Sequence, residues 1–410
     1  MLRAVAATLA LFGAGAATQR IVHLQIATAS IAARHWPYLP GSRMPLRVAG
    51  IPPPYGIALL GPGRILPPDT YEVPLGTAPG SALLIAGNTT GLGALRLSIG
   101  APPDPKRPLL LVASYDDGLI VHDARDLSVE GILSTGGAPS DVAVDRSGRA
   151  VVTDTQGDET TEIALRPWDV THVAGVATGD EAAVDSEARA IFVTDRDVDG
   201  AGALTRIGFD GSVTRVTTGD TAEGLALDSR RQIVYVANVN DGTVAVVDAR
   251  TMRVRQRIFA IERVFSLALS ADGSRLYAVS NEAADSALQR AGSVVAIALG
   301  HRPRIVARSA PLTFPIGIAL DAATHRLFVS DEERREIDVL DARTLRAAHA
   351  PLPTCAIPWK LTFDASTERL YVPCAGDDAI DAFDVRRLRR IPSAPFPTGG
   401  YPLAIAVWPR

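Results

Sequence analysis

Cysteine and lysine are nearly missing from this chain: its 410 residues hold two of each, Cys355 and Cys374, Lys106 and Lys360. Neither cysteine has a neighbouring histidine or a Cys-x-x-Cys partner, which removes thiolate catalysis and thiolate metal binding from consideration. Histidine is scattered too, at His23, His35, His122, His172, His301, His325 and His349, with no paired spacing and no repeated register. There is no glycine-rich phosphate cradle ahead of a helix and no haem-attachment motif. Apolar runs stay below membrane-spanning length. Basic residues are dispersed and the net charge is -4, so the electropositive stripe needed to track a nucleic acid is lacking. One local exception, Arg386-Arg387-Leu388-Arg389-Arg390, reads as the solvated outer face of a strand.

What the chain has in abundance is repetition. An apolar strand ends on a small or polar residue, a turn follows, a second strand closes on Asp, and a third leads into a short alternating run. Anchored on the valine of the first of these strands, the copies fall at Val112, Val152, Val193, Val236, Val279, Val329 and Val372, with spacings of 40, 41, 43, 43, 50 and 43. The companion run recurs as Val142-Ala143-Val144-Asp145, Leu225-Ala226-Leu227-Asp228, Ile318-Ala319-Leu320-Asp321 and, finally, Ile405-Ala406-Val407-Trp408. Period-two alternation, β-branched content and Asp-Gly punctuation specify strands, not helices. A period of this length is that of a four-stranded unit in a circular array.

The expectation is therefore an all-β, seven-bladed β-propeller over residues 109–410, in which the last run, Tyr401 to Trp408, pairs with the sheet begun at residue 109. The phrase resembles the YVTN-repeat β-propellers. The resemblance rests on Tyr235-Val236-Ala237-Asn238, on Pro315-Ile316-Gly317-Ile318-Ala319, on Asp272-Gly273, and on the Asp-Ala-Arg trios at Asp123, Asp248 and Asp341. Asp154, Asp195 and Asp331 depart from it, standing where the family has asparagine, and Cys374 follows Pro373 in the last copy. Recurring Trp-Asp and Gly-His pairs, the marks of WD repeats, are missing. Lactonases and lyases on related propellers hold a divalent ion on the channel axis, and the resemblance extends that possibility to this chain.

Residues 1–16 read as an export signal, with Arg3, an apolar stretch from Ala4 to Gly13, and small residues at Ala14-Gly15-Ala16. A periplasmic or secreted, monomeric protein without a membrane span is the corresponding expectation. Residues 17–108 are proline-rich and read as an appendage on the ring, with strand candidates at Ser81–Ala86 and Leu92–Ile99; a degenerate extra blade is the alternative. Cys355 and Cys374 fall in loops on the same face, either bonded or as two free thiols too far apart to bridge.

Aligning the copies places Ser140, Asp141, Asp180, Glu181, Glu223, Phe265, Ile316, Trp359, Lys360 and Leu403 around one mouth of the channel, acidic on one arc and apolar on the other. Asp141, Asp180, Glu181, Glu223, Trp359 and Lys360 are the candidate ligand-binding set, suited to a cationic or sugar-like molecule; the alternative is a ring of solvated loop charges. Glu223 and Lys360 lie outside the repeat logic. The segment Asp195-Arg196-Asp197-Val198-Asp199-Gly200 spaces carboxylates as a calcium loop does, with Asp195, Asp197 and Asp199 as ligands, although the later acidic ligand is missing. Calcium or another divalent cation is thus a possible cofactor. An insertion near Asn281 to Gly292 enlarges a loop on the mouth, as a lid, a partner contact or a neutral addition. Because most polar positions recur in register and serve turns, the sequence reads first as a non-catalytic platform for a protein or small-molecule ligand. A metal-assisted, lactonase-like hydrolase is the alternative.

Overall fold

A computed structural model describes residues 20–21, 23–26, 36–49, 53–88, 91–135, 137–156, 159–174, 179–198, 201–282, 291–392 and 394–408. Residues 1–16, expected above to be an export signal, Asp199 and most of the insertion after Asn281 lie outside the described residues. Within them all regular structure is β-strand.

One sheet explains the rest. Ala222–Asp228, Ile233–Asn238, Thr243–Asp248 and Arg253–Phe259 pair antiparallel in chain order. Its middle strands are apolar on both faces, since each face packs on a different neighbour. Tyr235, Ala237, Val244 and Val246 meet Leu267, Leu276, Val295 and Ile297 of the following sheet. Val234, Val236, Ala245 and Val247 meet Phe192 and Leu204 of the preceding one. Alternation therefore sorts side chains between two interfaces instead of between core and water. The fourth strand, Arg253–Phe259, is largely exposed and forms the outer edge. Asp248 closes the turn before it: one carboxylate oxygen accepts the backbone N–H groups of Arg250 and Thr251, and Met252 then takes a left-handed φ of 53°. The Asp341 turn repeats this with Arg343, Thr344 and Leu345. The Asp-Ala-Arg trio is thus an Asx-type turn that fixes strand register.

The first strands of successive sheets touch in a cycle. Pro402–Trp408 contacts Pro139–Val144, which contacts Gly179–Asp185, and so on through Ala222–Asp228, Val264–Leu269, Pro315–Asp321 and Thr362–Asp364, which returns to Pro402–Trp408. The chain end pairs antiparallel with Leu109–Ser114, from Pro402 opposite Ser114 to Trp408 opposite Leu109. Ser114 Oγ donates to Gly400 O at 2.6 Å, and Gly400 N–H donates to Asp117 Oδ2 at 2.6 Å. Gly148 is required here, since its φ is +87° and a Cβ would stand 2.9 Å from the Trp408 ring.

The described residues before 109 are rich in strands. They form two four-stranded sheets, one of Arg20–Ile21, Gly91–Ile99, Gly80–Asn88 and Gly56–Leu60, the other of His23–Ile26, Arg43–Ala49, Thr70–Glu72 and Arg64–Leu66. Both expected strands are present within longer ones. Met44, Tyr71, Leu84 and Leu97 join Leu110, Val112, Ile120 and Tyr371 in one core, and Leu39 N–H and Pro37 O bond to Ile132. Apolar burial thus fastens this region to the later sheets.

Cys355 and Cys374 form a disulfide, 19 positions apart in sequence. The bond ties the approach to Thr362–Asp364 to the end of Arg369–Cys374. His122 is a buried strand residue held by Leu127 O and Thr398 Oγ1. In the arginine run, Arg386 pairs with Glu368, Arg387 with Asp384 and Arg390 with Asp381.

Two outcomes follow from this packing. Removing residues 401–410 strips Leu403, Ile405 and Trp408 from their neighbours; at about 1.5–3 kcal/mol for each large side chain, the loss is comparable to a domain's whole stability of about 5–15 kcal/mol. The truncated chain should lose cooperative thermal unfolding, and an unchanged melting curve would contradict the closure. Replacing Cys355 and Cys374 together by alanine should cost about 3 kcal/mol through loop entropy, read as a fall in urea midpoint. The parent should show the same fall once reduced.

Candidate functional site

Six of the first strands carry a register shift at their start, between Pro139 and Asp141, Gly179 and Ala182, Ala222 and Leu225, Val264 and Ser266, Pro315 and Ile318, and Pro402 and Ala404. A bulge releases residues from the ladder and re-aims their side chains. The released residues include Ser140, Asp180, Glu181, Glu223, Phe265, Ile316 and Leu403. Trp359 and Lys360 hold the equivalent place ahead of Thr362–Asp364.

Hydroxyls at the ends of the second strands lock these bulges. Thr194 Oγ1 accepts from Glu181 N–H at 2.9 Å and donates to Glu223 O at 2.6 Å. Ser330 Oγ accepts from Gly317 N–H and donates to Trp359 O, both at 2.8 Å. Carboxylates add a second set of ties: Asp141 Oδ2 accepts Ala182 N–H at 2.9 Å, and Glu181 Oε2 accepts Leu225 N–H at 2.5 Å. Each sheet of this arc thus satisfies an N–H that the next sheet's bulge has freed.

The charged side chains then meet across the opening. Lys360 Nζ lies 3.1 Å from Glu181 Oε1 and 3.7 Å from Asp180 Oδ2, although its strand and Gly179–Asp185 are not neighbours in the cycle. Arg196 Nη2 lies 2.9 Å from Asp180 Oδ1, and its Nε and Nη2 take Glu223 at 3.0 and 3.1 Å. Asp180 and Glu223 are buried. Only 12% of the Lys360 side chain is exposed, against 43% for Arg196. Water therefore screens the guanidinium's ion pairs far more than the ammonium's. On the other arc Val239, Phe265 and Ile316 are buried together with Phe314 and Trp359 against them, and Phe265 and Trp359 meet edge to face at 6.2 Å.

This environment separates the carboxyl groups. Burial pushes Glu223 up to about 9, aided by the repulsion and hydrogen bond of Asp180. Burial likewise raises Asp141 to about 7 against the pull of Lys360, and it raises Glu181. Burial would raise Asp180 as well, but Lys360 and Arg196 outweigh it and hold that group below the ordinary aspartate value. Desolvation opposes the Lys360 charge, yet the surrounding carboxylates raise its pKa. Near neutrality the site presents a protonated Glu223 beside an ionised Asp180, with Asp141 close to half-titrated. Such a divergence of paired carboxyl groups supplies both a proton donor and a proton acceptor.

All five ionisable members of the candidate set are in this network, and Trp359 lies on the apolar arc. Asp180 and Glu223 are buried and the others partly so, which is an interlocked set instead of a ring of solvated loop charges. Arg196 was missed as a member because it sits inside the carboxylate-rich segment; its position near the end of a second strand, in the mouth register, was the available signal. The calcium-loop expectation meets a different geometry. Asp195 is buried, accepts Thr205 Oγ1 at 2.9 Å and pairs with Arg215 at 3.4 Å. Asp197 belongs to the strand Ala190–Val198, whose Val198 pairs with Ala201 of the strand Ala201–Gly208, and Asp199 lies outside the described residues. Among the described residues no group of three or more His, Cys, Asp or Glu is spaced to hold a metal. A cavity of about 460 Å³ bordered by Asp272, Arg275, Tyr277, His325 and Arg343 contains none of the site residues.

No family model and no curated protein matches the chain. Solved structures do. The periplasmic gluconolactonase of Pseudomonas aeruginosa is similar at 17% identity and a TM-score of 0.60, over 73% of this chain and 98% of that one. A provisionally named 6-phosphogluconolactonase from Bacteroides fragilis is similar at 12% and 0.59, over 75% and 99%. The β-propeller domain of a Myceliophteria thermophila protein is similar at 11% and 0.56, over 67% and 93%. At such identities the likeness establishes the β-propeller fold. The reading of a non-catalytic platform is corrected here: lactonases stand among the similar structures, and the mouth residues are not turn residues in register. Asp180, Glu181, Glu223, Arg196 and Lys360 leave the repeat pattern and form one charge network, buried at Asp180 and Glu223 and open to solvent at Arg196. Among the described residues no helix is long and apolar enough to cross a membrane.

The Glu223 shift has a stability consequence with a definite sign. Its folded value lies above its unfolded one, so the folded state holds the extra proton from the ordinary glutamate range up to about 9. The associated stability is complete at low pH and is lost as pH rises through that window. Glu223→Gln removes this titration. Relative to the parent, the variant should gain more than about 1 kcal/mol between pH 5 and pH 9, since one pKa unit is about 1.4 kcal/mol. Parallel pH profiles in thermal denaturation would contradict the buried, protonated assignment.

Proposed function

We propose that the chain is an exported, monomeric, seven-bladed propeller of the YVTN type that hydrolyses a lactone ring at the channel mouth. The observation that carries this reading is the divergent carboxyl pair, Asp180 and Glu223, held under the half-exposed guanidinium of Arg196. The basic and apolar opening of the sequence supports export, as does a disulfide, which persists in oxidising compartments. The names of the similar structures support a sugar lactone as substrate.

The chemistry asks for three things and the mouth has groups for each. Asp141 accepts a proton from water as its oxygen bonds to the lactone carbonyl carbon. Arg196 donates to the carbonyl oxygen as negative charge develops there. The bond from that carbon to the ring oxygen then breaks, and Glu223 protonates the departing oxygen, giving the open-chain hydroxy acid. The proton taken by Asp141 restores Glu223 through solvent. The Phe265 and Trp359 arc offers an apolar wall to the C–H face of a sugar ring.

With D-glucono-1,5-lactone in a pH-stat, the protein should accelerate ring opening above the spontaneous rate. Asp141→Asn and Glu223→Gln should each lose about 10²–10⁴-fold, the usual share of general acid–base catalysis. A parent protein that adds nothing to the spontaneous rate with this or related five- and six-membered sugar lactones would overturn the assignment.

A further inference from the structure

Propeller lactonases and lyases of the kind that the repeat resembles hold a divalent ion on the axis, and the residues at this mouth do not fit one. Their oxygens are already engaged: Arg196 takes Asp180 Oδ1 and both oxygens of Glu223, while backbone N–H groups take Asp141 Oδ2 and Glu181 Oε2. What points inward is Lys360 Nζ, 3.1 Å from Glu181 Oε1 and 3.7 Å from Asp180 Oδ2, with Asp141 and Glu223 adding a weaker pull on its charge. Asp180 is 2% exposed, and its Oδ2 is buried with no hydrogen-bond partner, facing Nζ at 3.7 Å.

Composition sharpens the point. Of 41 basic residues only two are lysine, and one of these stands between the carboxylates of Asp180 and Glu181. An ammonium is a compact point charge with freely turning donors, whereas a guanidinium is a wide planar fork. Only the former occupies the space of a single ion between opposed carboxylates.

We propose that the ε-ammonium of Lys360 stands in the place of an axial divalent cation, and that removing it turns the acidic arc into a divalent-cation site. Two hard oxygen donors for such an ion, Asp180 Oδ2 and Glu181 Oε1, are then left facing the place that Nζ vacates. This inference does not rest on the lactone reading, because cation binding is measured without substrate.

The test uses the full chain after chelator treatment, titrated calorimetrically with CaCl2 and separately with MgCl2, with thermal unfolding followed at each endpoint. The parent should take up no stoichiometric ion. Lys360→Met should bind one ion at least tenfold more tightly than the parent, with a rise in melting temperature, and Lys360→Met with Glu181→Gln should lose both. If Lys360→Met folds poorly, recovery of its melting transition on adding the ion is the same expected result, and Lys360→Gln provides a polar variant for the titration. A parent that binds a stoichiometric divalent ion weakened by Glu181→Gln would overturn the proposal. So would lysine variants that bind no better than the parent.

Discussion

The pairing of Pro402–Trp408 with Leu109–Ser114 is the constraint on which the site depends. It makes the last strand of the chain an inner neighbour of both Pro139–Val144 and Thr362–Asp364, so the first strands form a cycle instead of an open row. Only in a cycle does a lysine ahead of Thr362 face carboxylates on Gly179–Asp185. An open array would leave Lys360 and Asp180 separated by the intervening sheets, with Leu109–Ser114 as an unpaired edge.

Closure brings the residues round, and the bulges turn them inward. A regular strand would keep Asp180, Glu181 and Glu223 in the ladder, their side chains divided between sheet interfaces that are filled by Val193, Val234 and Val236. Shifting register at the start of six of these strands leaves the apolar alternation intact while freeing one or two residues in each for a different task. The freed N–H groups find acceptors in the preceding sheet, through Asp141 and Glu181. The same carboxylates thus serve both the fold and the charge network, which ties the geometry of the mouth to the packing of the ring.

Much of this was legible in the residues. Valine anchors and alternating runs placed the later strands, and aligning the copies picked out the positions that the bulges release, including Glu223 and Lys360 as departures from the pattern. Depth was not legible, because burial of Asp180 depends on Lys360 reaching across from a sheet that is adjacent neither in sequence nor in the cycle. Arg196 was hidden for a related reason: its neighbours Asp195 and Asp197 suggested a loop around an ion, while a strand through Val198 sends Asp195 to Arg215 and leaves Arg196 to the mouth. The proline-rich start was legible in part. The two expected strands lie within Gly80–Asn88 and Gly91–Ile99, whereas Thr70–Glu72 and Arg64–Leu66 are short, and the packing of this region against Leu110, Val112 and Tyr371 is a contact that no local pattern announces.

Charge balance decides what such a network can do. Four carboxyl groups within reach of one another cannot all ionise away from water, so part of their charge must be matched by cations and part suppressed by protonation. Lys360 and Arg196 do the first, and Glu223, with its proton retained to about pH 9, does the second. The two cations are not equivalent. Lys360 is sealed below and holds the acidic arc together, whereas Arg196 keeps close to half its side chain open to solvent. An incoming polar group therefore meets the guanidinium first. If it draws Arg196 away from Glu223 and Asp180, the cation that lowers both pKa values is lost and those two carboxyl groups hold their proton more tightly, so binding at the surface is coupled to acidity beneath it.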